Sequence, residues 1–125
     1  MKVLVVDDEE DVGSLFRQRF RKEIRKGEFE LLFFLSGEEV IEYLNEDGFD
    51  DKLILTDINM PGINGLELLY YIRKQHRPPT PVIFMITAYG DQDNKNRARS
   101  LGANDFLTKP VDFSKLKEKM KEVML

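Results

Sequence analysis

The sequence predicts an α/β fold, a (βα)5 doubly wound sandwich with a parallel sheet at its centre. Short apolar runs alternate along the chain with segments of helical spacing, which is the pattern of repeated β-α units. The apolar runs show no polar alternation, as expected for parallel strands that helices cover on both faces. The five predicted strands are residues 2–6, 29–35, 53–57, 82–87 and 104–107.

The alternation of strands and helices also predicts the topology of the sheet. Crossovers between parallel strands are right-handed, and a five-stranded doubly wound sheet takes the flavodoxin-like order 2-1-3-4-5. The first and third strands are then neighbours, and ligands bind in the crevice at their carboxyl ends. We therefore expect the functional site where residues 2–6 and 53–57 end.

Each of the first two helices is predicted from an apolar stripe and a capping residue. The first helix is expected to be continuous and to end at Gly27, a C-terminal cap. Its stripe consists of Val12, Leu15, Phe16, Phe20 and Ile24. Ser36 and Glu39 have the spacing of a capping box at the start of the second helix.

The later helices differ in the strength of their signals. Gly65 precedes the third helix, and Asp112 is placed to cap the last one. The fourth helix, residues 91–101, begins with several Asp and Asn residues and has few apolar positions. We expect it to be a movable element because its helix propensity and burial are low. The segment Arg77–Pro81 is predicted to be a stiff loop.

Length and composition limit the class of protein. With 125 residues, of which 42% are hydrophobic, residues 1–125 are expected to form one domain with its own core. The net charge of −4 argues against direct binding to nucleic acid. No apolar stretch approaches the roughly 18 residues of a membrane span, and the lack of cysteine suits a reducing compartment. We therefore expect a cytoplasmic protein without direct contacts to nucleic acid or membrane.

Polar side chains stand at the ends of four of the five predicted strands. Asp7 and Asp8 follow the first strand, and Asp57 ends the third. If these strands are neighbours, three carboxylates meet at one edge of the sheet, which is tolerated when a cation joins them. Thr87 ends the fourth strand and Lys109 follows the fifth, so both belong to the same edge.

This set of side chains suits phosphoryl transfer. Mg²⁺ prefers one or two carboxylates, waters and phosphate oxygens as ligands, and a carboxylate can act as the nucleophile that becomes an aspartyl-phosphate. A lysine and a threonine can hold the remaining phosphoryl oxygens. Each residue alone has an ordinary structural explanation, such as a helix cap or a turn. Their joint placement at different strand ends favours a functional site.

The motifs around these residues resemble the receiver domain of the two-component response-regulator family, the CheY-like receiver domain. The likeness spans residues 2 to about 112, and the remaining helix also fits. The matching motifs are Val5-Val6-Asp7-Asp8-Glu9, Thr56-Asp57-Ile58-Asn59-Met60-Pro61-Gly62, Gly65, Thr87-Ala88 and Lys109-Pro110. The resemblance implies a signalling switch that catalyses only its own phosphorylation and dephosphorylation, rather than an enzyme with a separate substrate.

The resemblance implies a role for each residue of the site. Asp57 would accept a phosphoryl group from a phosphohistidine. Asp8 and Asp57 would bind Mg²⁺ (or Mn²⁺) directly, while Asn59 would contribute its backbone carbonyl and Asp7 would act mainly through water. Lys109 would contact the acidic cluster before phosphorylation and the phosphoryl group afterwards.

A switch is also implied, which couples Thr87 to an aromatic residue on the last strand, here Phe106. Phosphorylation would draw Thr87 inward and let the Phe106 ring turn into the vacated space. Family members often have tyrosine at this position, and Phe106 lacks the hydroxyl, so only the steric part of the switch would remain. The surface formed by the fourth helix, the last strand and the last helix would change. A cis Lys109–Pro110 bond is a further expectation.

The implied partners act before and after phosphorylation. A sensor histidine kinase or a histidine phosphotransfer domain would supply the phosphoryl group, and a downstream protein or output domain would respond to it. A phosphorylation-dependent homodimer through the fourth and last helices is a further expectation.

Two helices carry rows of basic residues. They are Arg17, Lys22, Arg21, Arg25 and Lys26 on the first helix, and Lys115, Lys117, Lys119 and Lys121 on the last. Such rows are usually solvated faces. For the first row, docking of the histidine-bearing helices of a kinase is the alternative.

Three other classes of protein fit the sequence less well. A phosphatase of the haloacid-dehalogenase type wants a second aspartate two residues after its nucleophile, where this chain has Asn59. A phosphate-independent module with a receiver fold would typically have lost an acidic or lysine position that is present here. A dinucleotide or flavin protein is disfavoured because neither G-x-G-x-x-G nor a P-loop follows the first strand.

Overall fold

A five-stranded parallel sheet forms the centre of the molecule, as predicted. The computed structural model describes residues 1–77 and 80–124, and the strand order within them is β2-β1-β3-β4-β5. The strands are β1 (Lys2–Val6), β2 (Glu30–Phe34), β3 (Lys52–Asp57), β4 (Val82–Thr87) and β5 (Asp105–Thr108). The helices are α1 (Glu10–Arg19), α2 (Arg21–Arg25), α3 (Gly37–Asp47), α4 (Gly65–Gln75), α5 (Gln92–Leu101) and α6 (Phe113–Val123). The predicted fold class and strand order are confirmed.

The register of the strands brings their carboxyl ends to one edge. Val6 at the end of β1 pairs with Thr56 of β3, and Asp57 pairs with Ile86 of β4. Thr87 in turn pairs with Thr108 of β5. Residues that follow or end these strands therefore converge, which is the placement that the sequence predicts for the site.

Helices cover both faces of the sheet and create two hydrophobic layers. On one face α3, α4 and α5 pack against side chains such as Leu4 and Ile54. On the other face α1 and α6 pack against side chains such as Val3 and Leu53. Successive strand residues point to opposite layers, and burial of each large aliphatic side chain contributes roughly 1.5–3 kcal/mol.

The prediction of one continuous first helix is wrong. Helix α1 ends at Arg19, and α2 starts at Arg21 after a break at Phe20, whose φ of −105° and ψ of 17° are not helical. The Phe20 ring is buried between Phe29 and Phe113. Tertiary packing at this residue thus outweighs the apolar periodicity, and Leu15 of the predicted stripe is 41% exposed.

The helix caps match the predictions in part. Asp112 accepts hydrogen bonds from the backbone N–H groups of Ser114 and Lys115, as expected. Ser36 accepts one from Glu39 N, but the Glu39 carboxylate accepts from Leu35 N instead of completing the capping box. A complete, unpredicted capping box joins Asn64 and Glu67 at the start of α4.

Helix α5 corresponds to the fourth predicted helix, because the first is divided in two. It starts after the cap Asp91, and Ala98 is its buried residue. The Lys109–Pro110 bond is cis, as expected, and so is Thr80–Pro81. Residues 78 and 79 of the predicted stiff loop, Pro78 and Pro79, lie outside the described residues. In the part of the chain that is described, every helix is too short or too polar to span a membrane.

Candidate functional site

Three carboxylates meet at the carboxyl edge of the sheet. Asp7, Asp8 and Asp57 each offer one oxygen, and these oxygens lie within 4.8 Å of one another. Asp7 and Asp57 are 3% and 4% exposed, whereas Asp8 faces solvent. A hard cation could thus bind protein oxygens on one side and water on the other, which is the coordination that Mg²⁺ prefers.

The turns after β1 and β3 orient the two buried carboxylates. Glu9 N donates to Asp7 Oδ1 at 2.9 Å, and Asn59 N donates to Asp57 Oδ1 at 3.2 Å. Both bonds run from a backbone N–H two residues further along, which is the Asx-turn arrangement. The carboxylates are therefore fixed in position before any ligand binds.

Gly65 allows α4 to begin directly beside Asp57. A Cβ atom at this position would overlap the backbone carbonyl oxygen of Asp57 and come within 2.8 Å of Ile58 Cα. Gly65 N also donates to Ile58 O at 2.9 Å. The absence of a side chain is thus required by the close approach of two backbone segments.

Lys109 reaches the acidic cluster from the end of β5. Its Nζ lies 2.7 Å from Asp57 Oδ2 and 3.9 Å from Asp7 Oδ2. Its backbone N donates to Thr87 O at 2.9 Å, which anchors the residue to β4. Burial lowers the pKa of Lys109, but the hydrogen bond to Asp57 and the nearby carboxylates raise the pKa overall. Lys109 therefore remains an ammonium group beside the carboxylates.

The pKa of the Asp7 carboxyl group is raised in the acidic cluster. Burial raises the pKa of its carboxyl group, and the charges of Asp57 and Asp8 raise it further. The hydrogen bond from Glu9 N and the charge of Lys109 oppose this shift but do not cancel it. A bound cation would relieve the same repulsion.

Thr87 and Phe106 lie near the cluster but make other contacts. The buried Thr87 hydroxyl donates to Leu107 O on β5 at 3.4 Å. The Phe106 ring is half-buried and lies against two cations of α5, with Lys95 Nζ and Arg99 Cζ at 5.4 and 5.2 Å from its centre. The structure thus brings together Asp7, Asp8, Asp57 and Lys109, with Thr87 one strand away on the same edge.

Two features that support the site were not predicted from the sequence. The residues concerned are Glu9, whose N–H orients Asp7, and the Asn64–Glu67 capping box that fixes the start of α4. The capping box has a readable signal, because Asn followed three residues later by Glu is its usual spacing. The bond from Glu9 has no comparable signal beyond its position after the two aspartates.

A cleft of about 810 Å³ opens beside the acidic cluster, between α1 and the segment that follows β5. Its lining includes Asp7 and Lys109 of the site, the apolar residues Val12, Leu15 and Phe113, and the charged residues Glu9, Arg19 and Asp112. A large partner side chain or helix can therefore approach the carboxylates through a cleft whose lining is partly apolar and partly charged.

Fold and site together define a phosphoacceptor signalling domain, an α/β protein with an acidic pocket at its switch point. The family described as the response regulator receiver domain matches residues 3–121. The chain therefore belongs to the receiver domains of two-component response regulators, and its role is signalling.

Similar proteins share this domain in different contexts. The response regulator protein PilR of Pseudomonas aeruginosa is 44% identical over 94% of this chain, but the match spans only 24% of PilR. A chemotaxis protein CheY homologue of Campylobacter jejuni is 32% identical, and the match covers 99% of this chain and 92% of that protein.

A solved complex shows a similar receiver domain bound to another protein. It contains the receiver domain of the Saccharomyces cerevisiae response regulator Ssk1 with the histidine phosphotransfer protein Ypd1. Its similarity to this chain has a TM-score of 0.80 and 27% identity, covering 98% of this chain and 87% of the other.

Proposed function

We propose that residues 1–125 form one receiver domain that accepts a phosphoryl group on Asp57 in a histidine-to-aspartate phosphorelay. The observation that carries the proposal is the contact of one buried carboxylate with a lysine and two further acids. Asp57 Oδ2 lies 2.7 Å from Lys109 Nζ, within the cluster that includes Asp7 and Asp8. Such a set supplies both a nucleophile and charge compensation for phosphoryl transfer.

The acidic residues would hold Mg²⁺ or Mn²⁺. Asp8 and Asp57 would be direct ligands, Asn59 would add its backbone carbonyl, and Asp7 would act mainly through water. The oxygen-only donor set and the exposed side of the cluster support a hard divalent cation. When bound, the cation neutralises charge on the transferred phosphoryl oxygens.

The residues of the chain would each perform one part of the transfer. An oxygen of the Asp57 carboxylate attacks phosphorus while the bond between phosphorus and the donor nitrogen breaks. The donor imidazole leaves with the bonding electrons and takes up a proton. Lys109 and the Thr87 hydroxyl then hold phosphoryl oxygens, and water later hydrolyses the acyl phosphate. These self-catalysed steps are the only catalysis that we propose.

Mass spectrometry after incubation with Mg²⁺ and acetyl phosphate tests the acceptor. We expect the wild type to gain one phosphoryl group and Asp57→Asn to gain none, and chelation of the metal should abolish the gain. Failure of the wild type with acetyl phosphate and with a panel of phosphohistidine donors would refute the proposal and favour a phosphate-independent module.

The phosphohistidine donor, a sensor kinase or a histidine phosphotransfer domain, would dock in the cleft beside the site. The support is the presence of the apolar residues Val12, Leu15 and Phe113 in the lining of this cleft, together with the exposure of Leu15 (41%). Leu15→Glu should slow transfer from a phosphohistidine donor by about tenfold or more. Labelling by acetyl phosphate should be unchanged, because this small donor needs no docking surface. Equal slowing with both donors would contradict the assignment of the cleft.

Phosphorylation would act on partners through α5, β5 and α6. Thr87 would move from its bond with Leu107 O towards the phosphoryl group, and the Phe106 ring would turn inward. This change would control a downstream protein or output domain, and would allow a phosphorylation-dependent homodimer. We place these events in the cytoplasm. In Thr87→Ala, phosphorylation of Asp57 should persist while the NMR shift changes of the Phe106 ring diminish. Ring shifts as large as those of the wild type would contradict the coupling.

A further inference from the structure

A second cleft lies at the opposite end of the sheet from Asp57. Its floor is apolar and includes Phe20, Phe29 and Met120, which are 1%, 7% and 3% exposed. Phe29 directly precedes β2 and Met124 directly follows α6, so the cleft belongs to the amino ends of the strands. It has a volume of about 650 Å³.

Lysines stand on both walls of this cleft. Lys22 and Lys26 line the α2 side, and Lys117 and Lys121 line the α6 side. Each pair is four residues apart, which puts its members on one face of a helix. The break at Phe20 produces α2 and hence the first wall. The apolar floor is therefore bordered by a row of positive charge on either side.

One of the four lysines is already paired within the protein. Lys117 Nζ lies 3.0 Å from Glu23 Oε2 and 5.4 Å from the centre of the Phe20 ring. Among residues 1–77 and 80–124, Lys22, Lys26 and Lys121 have no carboxylate oxygen within 4 Å. These three lysines can meet negative charge on a partner, and Glu28 is the remaining acid on the rim.

The charge around the cleft contrasts with that of the whole chain. Residues 17–26 contain six Lys or Arg and one Glu, and residues 113–123 contain four Lys and two Glu. These two segments carry a net charge of +7, while the remainder of the chain carries −11. The overall charge of −4 thus includes a basic face, defined here as the lysines on the two walls of the cleft, Lys22, Lys26, Lys117 and Lys121.

From this juxtaposition we propose that the cleft between α2 and α6 binds an amphipathic helix of a partner protein, with an apolar stripe flanked by Asp and Glu. The floor is recessed, so only a ligand with a convex apolar ridge can reach it, and a flat membrane surface cannot. The lysines on both walls complement acids on both flanks of such a ridge. The site is separate from the phosphoacceptor pocket and does not depend on its chemistry.

The acidic helix α3 of a second copy does not offer the required surface. Helix α3 is acidic, with Glu38, Glu39 and Asp47 among its residues, but its apolar residues Val40 and Leu44 are buried in its own core. Its outer face therefore presents acids without an apolar ridge. A helix of another protein remains the occupant that has both an apolar ridge for the floor and acids for the lysines of the walls.

An NMR titration of the ¹⁵N-labelled chain with a designed helical peptide tests the proposal. The probe has Leu at positions i, i+3, i+4 and i+7 with Glu on both flanks of the stripe. We expect saturable shift changes in α2, α6 and around Phe29. Replacing the Leu residues by Ser, or the Glu residues by Lys, should abolish the changes. Changes that persist with the Ser peptide, or that map elsewhere, would overturn the proposal.

Two charge-reversal variants, one in the cleft and one matched control elsewhere, test the role of the lysines. Lys22→Glu/Lys121→Glu, one substitution on each wall, should weaken peptide binding by about tenfold or more. Lys74→Glu/Arg97→Glu makes the same charge change on exposed residues across the sheet and should leave binding within about twofold. Acetyl phosphate labelling of Asp57 in each variant verifies folding. Equal weakening by both variants would overturn the proposal.

Two further outcomes identify other occupants. Vesicles containing phosphatidylglycerol that bind the wild type, when the peptide causes no shift, would assign the basic face to a lipid surface and overturn the proposal. Shift changes in the cleft that depend on protein concentration in the absence of peptide would assign the cleft to a second copy of the chain. This outcome would also overturn the proposal.

Discussion

At the scale of single residues, we expect Asp7 to lower the stability of the metal-free protein and to strengthen the binding of Mg²⁺. Asp7 is buried beside two other acids, and burial and their charges raise the pKa of its carboxyl group. A raised pKa in an acid means that the folded state is favoured when the group is protonated and loses that stability as pH rises through the folded pKa. We expect Asp7→Asn to raise the free energy of unfolding of the metal-free protein at pH 7 by ~1 kcal/mol.

Urea denaturation in EDTA measures this effect, and calorimetric titration measures Mg²⁺ affinity. The same variant should bind Mg²⁺ more weakly, because one negative charge has left the cluster. Asp8→Asn is the control for burial: Asp8 is exposed, so its replacement should stabilise the protein less while also weakening Mg²⁺ binding. Loss of stability in Asp7→Asn would contradict the explanation.

The site residues could be predicted because they stand at strand ends. Asp7, Asp57 and Thr87 each follow or end a strand that is visible as an apolar run, and parallel strands share one edge. The hydrogen bond from Thr87 to Leu107 O could not be predicted, since it depends on how β4 and β5 are paired. The fit of Gly65 against the Asp57 carbonyl likewise depends on tertiary geometry.

At the scale of elements, Arg73 joins three parts of the fold. Its buried guanidinium donates to Gly102 O at 2.8 Å, to Asn104 Oδ1 at 2.7 Å and to His76 O at 3.3 Å. It thus links the C-terminal ends of α4 and α5 to the segment before β5. Arg73→Met should lower the free energy of unfolding by about 2 kcal/mol, because charged hydrogen bonds are lost and carbonyls lose their donors.

Hydrogen exchange of α5 gives a more specific measurement of this link. Amides of Gln92–Leu101 should exchange faster in Arg73→Met by a larger factor than those of β1, because α5 loses its attachment at Gly102. Lys74→Met removes the same charge from the next residue, which is exposed. It should change neither the free energy of unfolding nor the free energy of opening of the α5 amides by more than about 0.5 kcal/mol. A uniform change across the protein would indicate global destabilisation alone.

The C-terminal end of α3 contains a charge cluster that makes stability depend on pH. Asp47 Oδ2 lies 3.0 Å from Lys2 Nζ and 2.9 Å from Lys52 Nζ, and the Lys52 side chain is only 4% exposed. Hydrogen bonds from Lys52, Lys2 and Tyr43 hold the pKa of the Asp47 carboxyl well below its usual range. An acid with a lowered pKa stabilises the fold above its unfolded pKa and stops doing so as pH falls through the folded value.

Asp47→Asn should therefore lower the urea midpoint at pH 7, and its difference from wild type should shrink below about pH 4, where unfolded Asp is protonated. Urea unfolding at pH 7 and pH 3 provides the comparison. Glu46→Gln removes a negative charge from the neighbouring exposed residue and should show a smaller effect at pH 7. A difference that grows on acidification would mean that the Asp47 carboxylate does not stabilise the fold through its lowered pKa.

The helices were less predictable than the strands. The stripe from Val12 to Ile24 predicts one helix, but burial of Phe20 among other aromatic rings divides it. Helical periodicity cannot reveal this, because Phe29 and Phe113 lie outside the helix and contact Phe20 only in the folded chain. Asp112 behaves as predicted since a cap is a local feature.

At the scale of the whole molecule, metal binding should be visible as stability. A ligand that binds only the folded state at ten times its dissociation constant adds about 1.4 kcal/mol to the free energy of unfolding. We expect MgCl₂ at that concentration to raise the urea midpoint accordingly, and EDTA to reverse the change. The rise should disappear in Asp57→Asn and persist in Asp11→Asn, whose exposed acid lies on α1. A rise of equal size in all three proteins would mean that Mg²⁺ acts elsewhere.

The excess of positive charge around α2 and α6 in an otherwise acidic chain gives the molecule a dipole despite its modest net charge. A partner with an acidic surface would exert a torque on this dipole and turn α2 and α6 towards itself before contact. The ordering would operate over the last ~8 Å of approach at physiological salt, since counter-ions screen longer distances. Encounters on this side would therefore begin already aligned, and their rate would fall as ionic strength rises.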